Sequence, residues 1–334
     1  MPVTTIGDMA SSLLLRTRSA QLKQTMSTLT QELTTGQTSD INARLGGDYS
    51  YLSDIENGLK RLQGYSVAAT EAGLLADTMQ TSLNRVHDTA SSLSASLLAT
   101  ATTMAGPARD HGAEQAEADL TTIMSALNGS VAGRSMFAGT ATDQAALGPP
   151  SDLLDGLRIA ITGQPTVADM RTAAEAWFND PAGFQATVYT GGTEDLSNTR
   201  IGDGIEVSLS LRADDQVFRD LMRETALAAL ATDPALGLDE QQRTELFLAS
   251  GQGMLAATDA LTRTRADLGY AQSRIEETQV QTASSRMGLE YAKGKLLEAD
   301  PFETATQLET VQFQLESLYT VTARTSRLSL VNFL

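Results

Sequence analysis

The chain has 334 residues and a formal net charge of −17, from 24 basic and 41 acidic side chains. This length fits two or three domains, and the acidity argues against a phosphate-binding surface along the whole chain. The sequence has no cysteine, which excludes disulfides, thiolate metal sites and cysteine nucleophiles. No apolar run approaches the ~18 residues of a membrane span. The first residues have neither a basic nor an apolar region, so we expect no cleaved secretory signal.

Apolar residues near the start of the chain recur at steps of seven, four, three and four. This spacing predicts a helix with one apolar seam, which is a stripe along which the helix packs against a partner. Gly36 is expected to end the helix, because glycine readily adopts the left-handed conformation that follows many helices. The seam residues are Leu15, Leu22, Met26, Leu29 and Leu33.

Two further seams follow before residue 100, and they predict helices that pack in a bundle core. Between these seams, small residues would allow a neighbouring backbone to come close. The dipeptide Gly106-Pro107 is expected to break the helix, and a shorter helix is predicted over residues 113–127. The predicted core residues of this region are Leu52, Ile55, Leu59, Leu62, Met79, Leu83, Val86 and Leu93.

The C-terminal part carries a more regular heptad seam, with large residues on one flank and small residues on the other. This asymmetry is typical of closely packed helices. Its large residues include Leu261, Leu268, Ile275, Leu289 and Leu296. Asp300 and Pro301 are predicted to be the N-cap and the first residue of a terminal helix. The seam of that helix comprises Leu308, Val311, Leu315, Leu318 and, further on, Leu328.

The middle of the chain differs in composition from both ends. Residues 143–216 contain 12 acidic and 4 basic side chains, a difference of −8, and several glycines interrupt them. Alternating apolar residues predict strands at residues 157–161, 187–189 and 205–211. We therefore expect this segment to form a small sheet whose local core contains Trp177 and its neighbouring rings.

The number and distribution of the seams favour one arrangement of the chain. A single seam is readily explained as the core face of a bundle helix. Several seams divided between the two ends favour pairing of N-terminal with C-terminal helices, with the middle inserted between them. The predicted fold is therefore mainly α, an antiparallel helix bundle or coiled coil made from both ends with a small β-rich (α+β) domain in the middle.

The sequence lacks the residue patterns that catalysis or cofactor binding requires. It contains two histidines, His87 and His111, and neither has a second ligand on the same helix face at metal-binding spacing. Nucleotide-binding glycine motifs, a nucleophile elbow and the spacing of a calcium loop are also missing. We therefore predict no enzyme activity, cofactor or metal site. A soluble helical enzyme or signalling bundle is the competing class.

Several stretches carry motifs of a known family. In residues 133–143, a Gly-Arg-x-x-Phe-x-Gly-Thr pattern contains Gly133, Phe137, Gly139 and Thr140. Together with further stretches, this pattern resembles the flagellin superfamily, and within it most closely the hook-associated proteins. The further stretches are residues 188–192, 207–221, 299–308 and 329–334.

The resemblance implies a structural subunit of the bacterial flagellum at the junction of hook and filament. It divides the chain into a terminal assembly domain (1–45 with 300–334), a helical bundle (46–139 with 215–299) and an exposed domain (140–214). The loop at residues 37–49 lacks the Asp-Pro element of the family. A flagellin-type filament subunit therefore remains open as the alternative.

The resemblance also implies partners and a location. The partners are copies of the chain itself, neighbouring hook-associated and flagellin subunits, and an export chaperone on the C-terminal helix, with no nucleic acid and no membrane insertion. The location is extracellular, in the flagellum, after type III export without a cleaved signal peptide. Neighbouring subunits would complete the terminal seams, because a lone amphipathic helix is marginal in water.

Overall fold

The computed structural model describes residues 6–102 and 106–331, with side chains described over 10–102 and 107–324. The chain is mainly helical, as its seams predict, and its described strands form two two-stranded antiparallel sheets. The helices are α1 (Ile6–Thr35), α2 (Ile41–Leu45), α3 (Ser50–Thr102), α4 (Gly106–Leu127), α5 (Pro150–Ile161), α6 (Val167–Asn179), α7 (Phe184–Thr187), α8 (Gln216–Ala229), α9 (Glu240–Leu296) and α10 (Pro301–Val331). The strands are β1 (Ser130–Val131), β2 (Arg134–Ser135), β3 (Thr199–Gly202) and β4 (Ile205–Val207).

The described residues divide into two compact units. The first unit contains the residues up to 62 together with those from 284 onward, and the second contains residues from 63 to 283. Each unit therefore combines segments from the N-terminal and the C-terminal parts of the chain. This composition confirms the predicted pairing of helices from the two ends.

In the first unit, α1 and α10 pack side by side in antiparallel orientation. Gly36 follows α1 with a φ of +69°, and its carbonyl accepts a hydrogen bond from the N–H of Ala299 at 2.9 Å. The Asp300 carboxylate caps α10 by accepting from the N–H groups of Phe302 and Glu303. The end of α1 therefore lies beside the start of α10, and both helix boundaries match the sequence prediction.

The first unit also contains the start of α3 and the end of α9, which approach closely at Gly58. A Cβ added to Gly58 would lie 2.8 Å from the Leu289 side chain. Lys293 of α9 forms an ion pair with Glu56 of α3 at 2.7 Å. Two of the predicted core residues are buried here, Leu52 and Ile55. The other predicted core residues of this unit are half-buried, namely Leu59, Leu62, Leu289 and Leu296.

In the second unit, the seams of α3 and α9 belong to one hydrophobic core. The Ser94 hydroxyl donates to the Gly251 carbonyl at 2.9 Å, and the Arg265 guanidinium donates to the Asn84 side-chain oxygen at 2.6 Å. These contacts fix the register of the two helices. The predicted core residues that are buried in this unit are Met79, Leu83, Val86, Leu93, Leu261, Leu268 and Ile275.

The middle of the chain is more helical than the sequence predicts. Residues 157–161, which we expected to form a strand, are the last part of α5 instead. Over five residues, the alternation of apolar side chains is compatible with a strand or with one side of a helix. The buried positions Leu153, Leu157 and Ile161 repeat every four residues, and Ile159 is left 78% exposed.

The other two predicted strands are shorter than expected. Residues 205–207 form β4, which pairs with β3, but the strand does not continue to residue 211. At residues 187–189, the chain leaves α7, and Tyr189 makes an isolated bridge with Leu147. The described part of the middle segment is therefore α+β with little sheet, and the prediction that it is β-rich is wrong.

An aromatic cluster supports the middle segment. The Trp177 ring meets Phe178 and Phe184 edge-to-face, with centroids 5.1 and 6.3 Å apart, and both phenylalanines are buried. Gly156 permits this packing, because a Cβ at that position would lie 2.5 Å from the Trp177 ring. The cluster is the local core that the sequence predicts for these rings.

A charged side chain lies inside the core of the second unit. Glu224 of α8 is fully buried, and its carboxylate pairs with Arg171 of α6 at 2.9 Å and with Arg223 at 3.0 Å. Gly253 of α9 makes room for this group, since a Cβ there would overlap the Glu224 carboxyl. Burial raises the pKa of Glu224, and the two arginines only partly oppose this rise.

We expect Glu224→Gln to change how the stability of the second unit depends on pH. Because the folded-state pKa is raised above the ordinary value of 4.5, folding favours the protonated glutamate. The stabilising contribution of this group is therefore full below about pH 4.5 and is lost as pH rises through the folded-state pKa. Thermal unfolding, followed by the fluorescence of the single tryptophan Trp177, should lose less stability with rising pH in the variant. Parallel pH profiles for the two proteins would contradict this prediction.

Candidate assembly surface

The predicted seam of α1 is only partly covered. Leu22 and Leu29 are buried, each 6% exposed, and Leu15 and Met26 are half-buried. Leu33 is 43% exposed, so the structure does not bury this predicted seam residue within the chain. It lies in the last turn of α1, beside the first turn of α10, where the partner helix has only begun.

The seam of α10 is half-covered along its described length. Four leucine or valine side chains at steps of three, four and three are half-buried rather than buried, and they are Leu308, Val311, Leu315 and Leu318. The side chain of Leu328 lies outside the described residues. A pair of helices covers each seam from one side only, so part of the apolar stripe stays accessible to solvent.

Further apolar side chains lie away from the seams. On α10, Phe302 is 84% exposed and Phe313 is 71% exposed. They are about three helical turns apart and share one face of α10, which points away from Leu315. On α1, Leu13 and Leu14 are 67% and 69% exposed. The terminal helices thus present apolar surface on more than one side, as interaction surfaces do.

A shallow groove of about 430 Å³ runs between the terminal helices. Leu22 and Leu318 contribute apolar walls, and Arg18 and Phe313 border the groove. The Lys23 ammonium lies 5.8 Å from the centroid of the Tyr319 ring, and its hydrogen bond lowers the pKa of Tyr319. The groove therefore combines an apolar lining with a basic edge on α1.

The family-motif residues begin at a tight turn between β1 and β2. Gly133 has a φ of +79° and Ala132 before it a φ of +50°, the two left-handed residues of a short hairpin turn. Phe137, just after β2, is fully buried and meets Phe218 of α8 edge-to-face at 5.9 Å. This part of the motif therefore holds the hairpin against α8.

The next motif residues hold a second loop. Gly139 has a φ of +57°, and a Cβ on it would lie 2.6 Å from the Glu194 carbonyl oxygen. The N–H of Gly192 donates to the Ala138 carbonyl at 2.8 Å, and the N–H of Thr140 donates to the Glu194 carbonyl at 3.1 Å. The motif residues therefore lie away from the terminal helices in sequence and serve packing within the second unit.

Sequence reasoning missed a salt-bridge network next to this loop. Arg212 pairs with Asp214 at 2.8 Å and with Asp195 at 3.0 Å, and its backbone N–H donates to the Asp215 carboxylate at 2.8 Å. Burial raises the pKa of Asp215. The sequence feature that could have indicated this network is the Arg-Ala-Asp-Asp run at residues 212–215. Its internal bonds hold the backbone in place just before α8.

The described residues offer no group of three or more histidine or acidic side chains that could hold a metal ion. His87 is half-buried on α3, and His111 is exposed with its ring 3.3 Å from the Glu114 carboxylate. Among the helices in the described ranges, none has the length and hydropathy needed to cross a bilayer.

The fold defines a mainly helical protein whose N-terminal and C-terminal helices pair and leave apolar surface accessible. Residues 253–334 match the family model of the bacterial flagellin C-terminal helical region. The match includes the motifs at residues 299–308 and 329–334. No curated protein matches the sequence significantly.

Two solved structures have a similar fold. A protein of Vibrio parahaemolyticus assigned as a flagellar hook-associated protein is 13% identical with a TM-score of 0.51, and the similarity covers 75% of this chain and 99% of that protein. FlgL of Bacillus cereus is 12% identical with a TM-score of 0.53, and the coverage is 72% of this chain and 100% of FlgL. At these identities, the likeness concerns the fold.

The family match confirms, for residues 253–334, the resemblance to the flagellin superfamily that the motifs indicate. The two solved structures share the fold.

Proposed function

We propose that this chain is a structural subunit that joins the hook of the bacterial flagellum to the filament. Residues 1–45 with 300–334 form its assembly domain, which packs with the same helices of neighbouring copies. Residues 46–139 with 215–299 form a helical bundle domain, and residues 140–214 form an exposed domain. The adjoining subunits are other hook-associated proteins and flagellin.

The half-covered seam of α1 and α10 supports this proposal most strongly. Its α10 residues are half-buried in the single chain, and full burial of an apolar side chain contributes about 1.5–3 kcal/mol. A neighbouring copy that covers the open side would gain part of this energy for several residues at once. Assembly would therefore complete a core that one chain forms only in part.

Export precedes assembly in this proposal. The chain leaves the cell through the flagellar type III channel without removal of a signal peptide and functions outside the cell. A chaperone bound to the C-terminal helix covers the seam of α10 during transit. The few buried residues of the terminal helices suit this route, because sparsely packed helices open at little cost.

A flagellin-type filament subunit is the alternative. The family match covers the C-terminal helices, which a junction protein and a filament subunit would share, so it favours neither role. The similar fold of a protein assigned as hook-associated supports the junction role.

Cells that lack the chain distinguish the two roles. For a junction protein, we expect hooks without filaments in electron micrographs and flagellin in the culture medium, because exported flagellin finds no junction on which to polymerise. Hooks that carry their junction proteins, with no flagellin in the medium, would instead identify the filament subunit. Normal filaments would contradict both roles, and expression of the full chain from a plasmid is the control.

A further inference from the structure

An open cleft of about 400 Å³ lies within the second unit. One side is formed by Leu74 and Leu75 of α3, and the other by the β1–β2 hairpin with Leu196 and Leu209. Leu74 is 56% exposed although it borders this apolar surface. The cleft is therefore large enough to take a bulky side chain from another molecule.

Three polar groups of the cleft have no partner among the described residues. The Ser135 hydroxyl has no hydrogen-bond partner, although Ser135 is only 7% exposed. Arg134 and Glu71 at the rim are exposed and have no oppositely charged side chain within 4.0 Å in the described part of the chain. An apolar centre with a polar rim is the usual composition of a protein interface.

The outer face of α5 has complementary features. Ile159 is 78% exposed, more than any other large aliphatic side chain of the described residues. Asp152 is seven residues earlier, which places it on the same face of the helix, about 10 Å away. Its carboxylate is exposed and has no cation within 4.0 Å in the described ranges. This face therefore combines an unpacked aliphatic side chain with an unpaired negative charge.

We propose that Ile159 of one copy inserts into the cleft of a second copy beside Leu74, while Asp152 pairs with Arg134. This inference rests on the proposed self-assembly, and it concerns the second unit rather than the terminal helices. The two surfaces differ, so every copy offers its cleft to one neighbour and its α5 to another. Contacts of this head-to-tail kind generate rings or helical filaments, which are the forms that a junction or a filament needs.

Cysteine cross-linking tests the contact directly, because the chain has no cysteine of its own. Polymer is assembled from an equal mixture of Leu74→Cys and Ile159→Cys copies and is then oxidised briefly. We expect a covalent dimer in the mixture, above the level that either variant gives alone. In the matched control, Leu255→Cys replaces Leu74→Cys, since Leu255 is a 50% exposed leucine on α9 outside the cleft.

The outcomes separate this contact from the proposed function. Polymer that forms without a dimer above the Leu255→Cys control overturns the contact and leaves the proposed function intact. Failure of the unsubstituted chain to assemble at all overturns the proposed function and this contact with it.

Exchange of the charges is an independent test. Arg134→Asp should raise the concentration needed for assembly roughly threefold to tenfold, because it puts a carboxylate opposite Asp152. Asp152→Arg added to the same chain should restore assembly by reversing the pair. A double variant that assembles no better than Arg134→Asp alone would overturn the pairing.

Discussion

Leu315→Asp in α10 is expected to abolish assembly while the second unit stays folded. Leu315 belongs to the seam of α10, together with Leu308 and Leu318, and is half-buried. Once a neighbouring copy covers this seam, the aspartate would be buried without a partner. The lost leucine burial and the desolvation of a carboxylate together cost about 4 kcal/mol or more for each contact. This is roughly a thousandfold in the association constant.

The measurement compares sedimented polymer, and filaments on cells, between the variant and the wild type. Gln312→Asp is the matched control, since it adds the same charge to an exposed position of α10 that belongs neither to the seam nor to the face of Phe302 and Phe313, and it should assemble. Unchanged fluorescence of Trp177 would show that the second unit is folded. Deletion of residues 300–334 should act as Leu315→Asp does. A truncated chain that still builds filaments on hooks would contradict the assembly role of the terminal helices.

The terminal helices could be predicted from the sequence because their signals are local. Gly36 ends α1, and Asp300 with Pro301 starts α10 where the sequence indicates. The seam residues could be named, but the extent to which each is covered could not. That extent depends on which part of the partner helix lies opposite, as the exposed Leu33 shows.

The middle segment could not be predicted in the same way, since short apolar patterns do not separate a strand from a helix. Residues 157–161 became part of α5 because tertiary packing buries every fourth residue. The pairing of Glu224 with Arg171 joins positions 53 residues apart in the chain. A contact of this kind depends on the folded arrangement of α6, α8 and α9, and no local sequence pattern predicts it.

Gly139→Ala is expected to destabilise the second unit by roughly 2–5 kcal/mol, which is about 5–15 °C in its unfolding temperature. Two causes add at this position. The φ of +57° is unfavourable for a residue with a Cβ. The new Cβ would also lie 2.6 Å from the Glu194 carbonyl oxygen and 2.8 Å from that of Gly192. Both obstacles are backbone, so the loop must move and weaken its hydrogen bonds to Ala138 and Thr140.

Gly133→Ala separates the two causes, because Gly133 has a φ of +79° but no atom within 4 Å of an added Cβ. Its cost should be limited to the backbone conformation, about 1 kcal/mol. Thermal unfolding of both variants, followed by Trp177 fluorescence, gives the comparison. Equal losses of stability in the two variants would mean that the loop containing Glu194 can move away from the new Cβ at no cost. The close approach of this loop to residue 139 would then not constrain the choice of residue. A clearly larger loss at Gly139 would show that this motif glycine is required by the neighbouring backbone, whereas Gly133 serves only the turn.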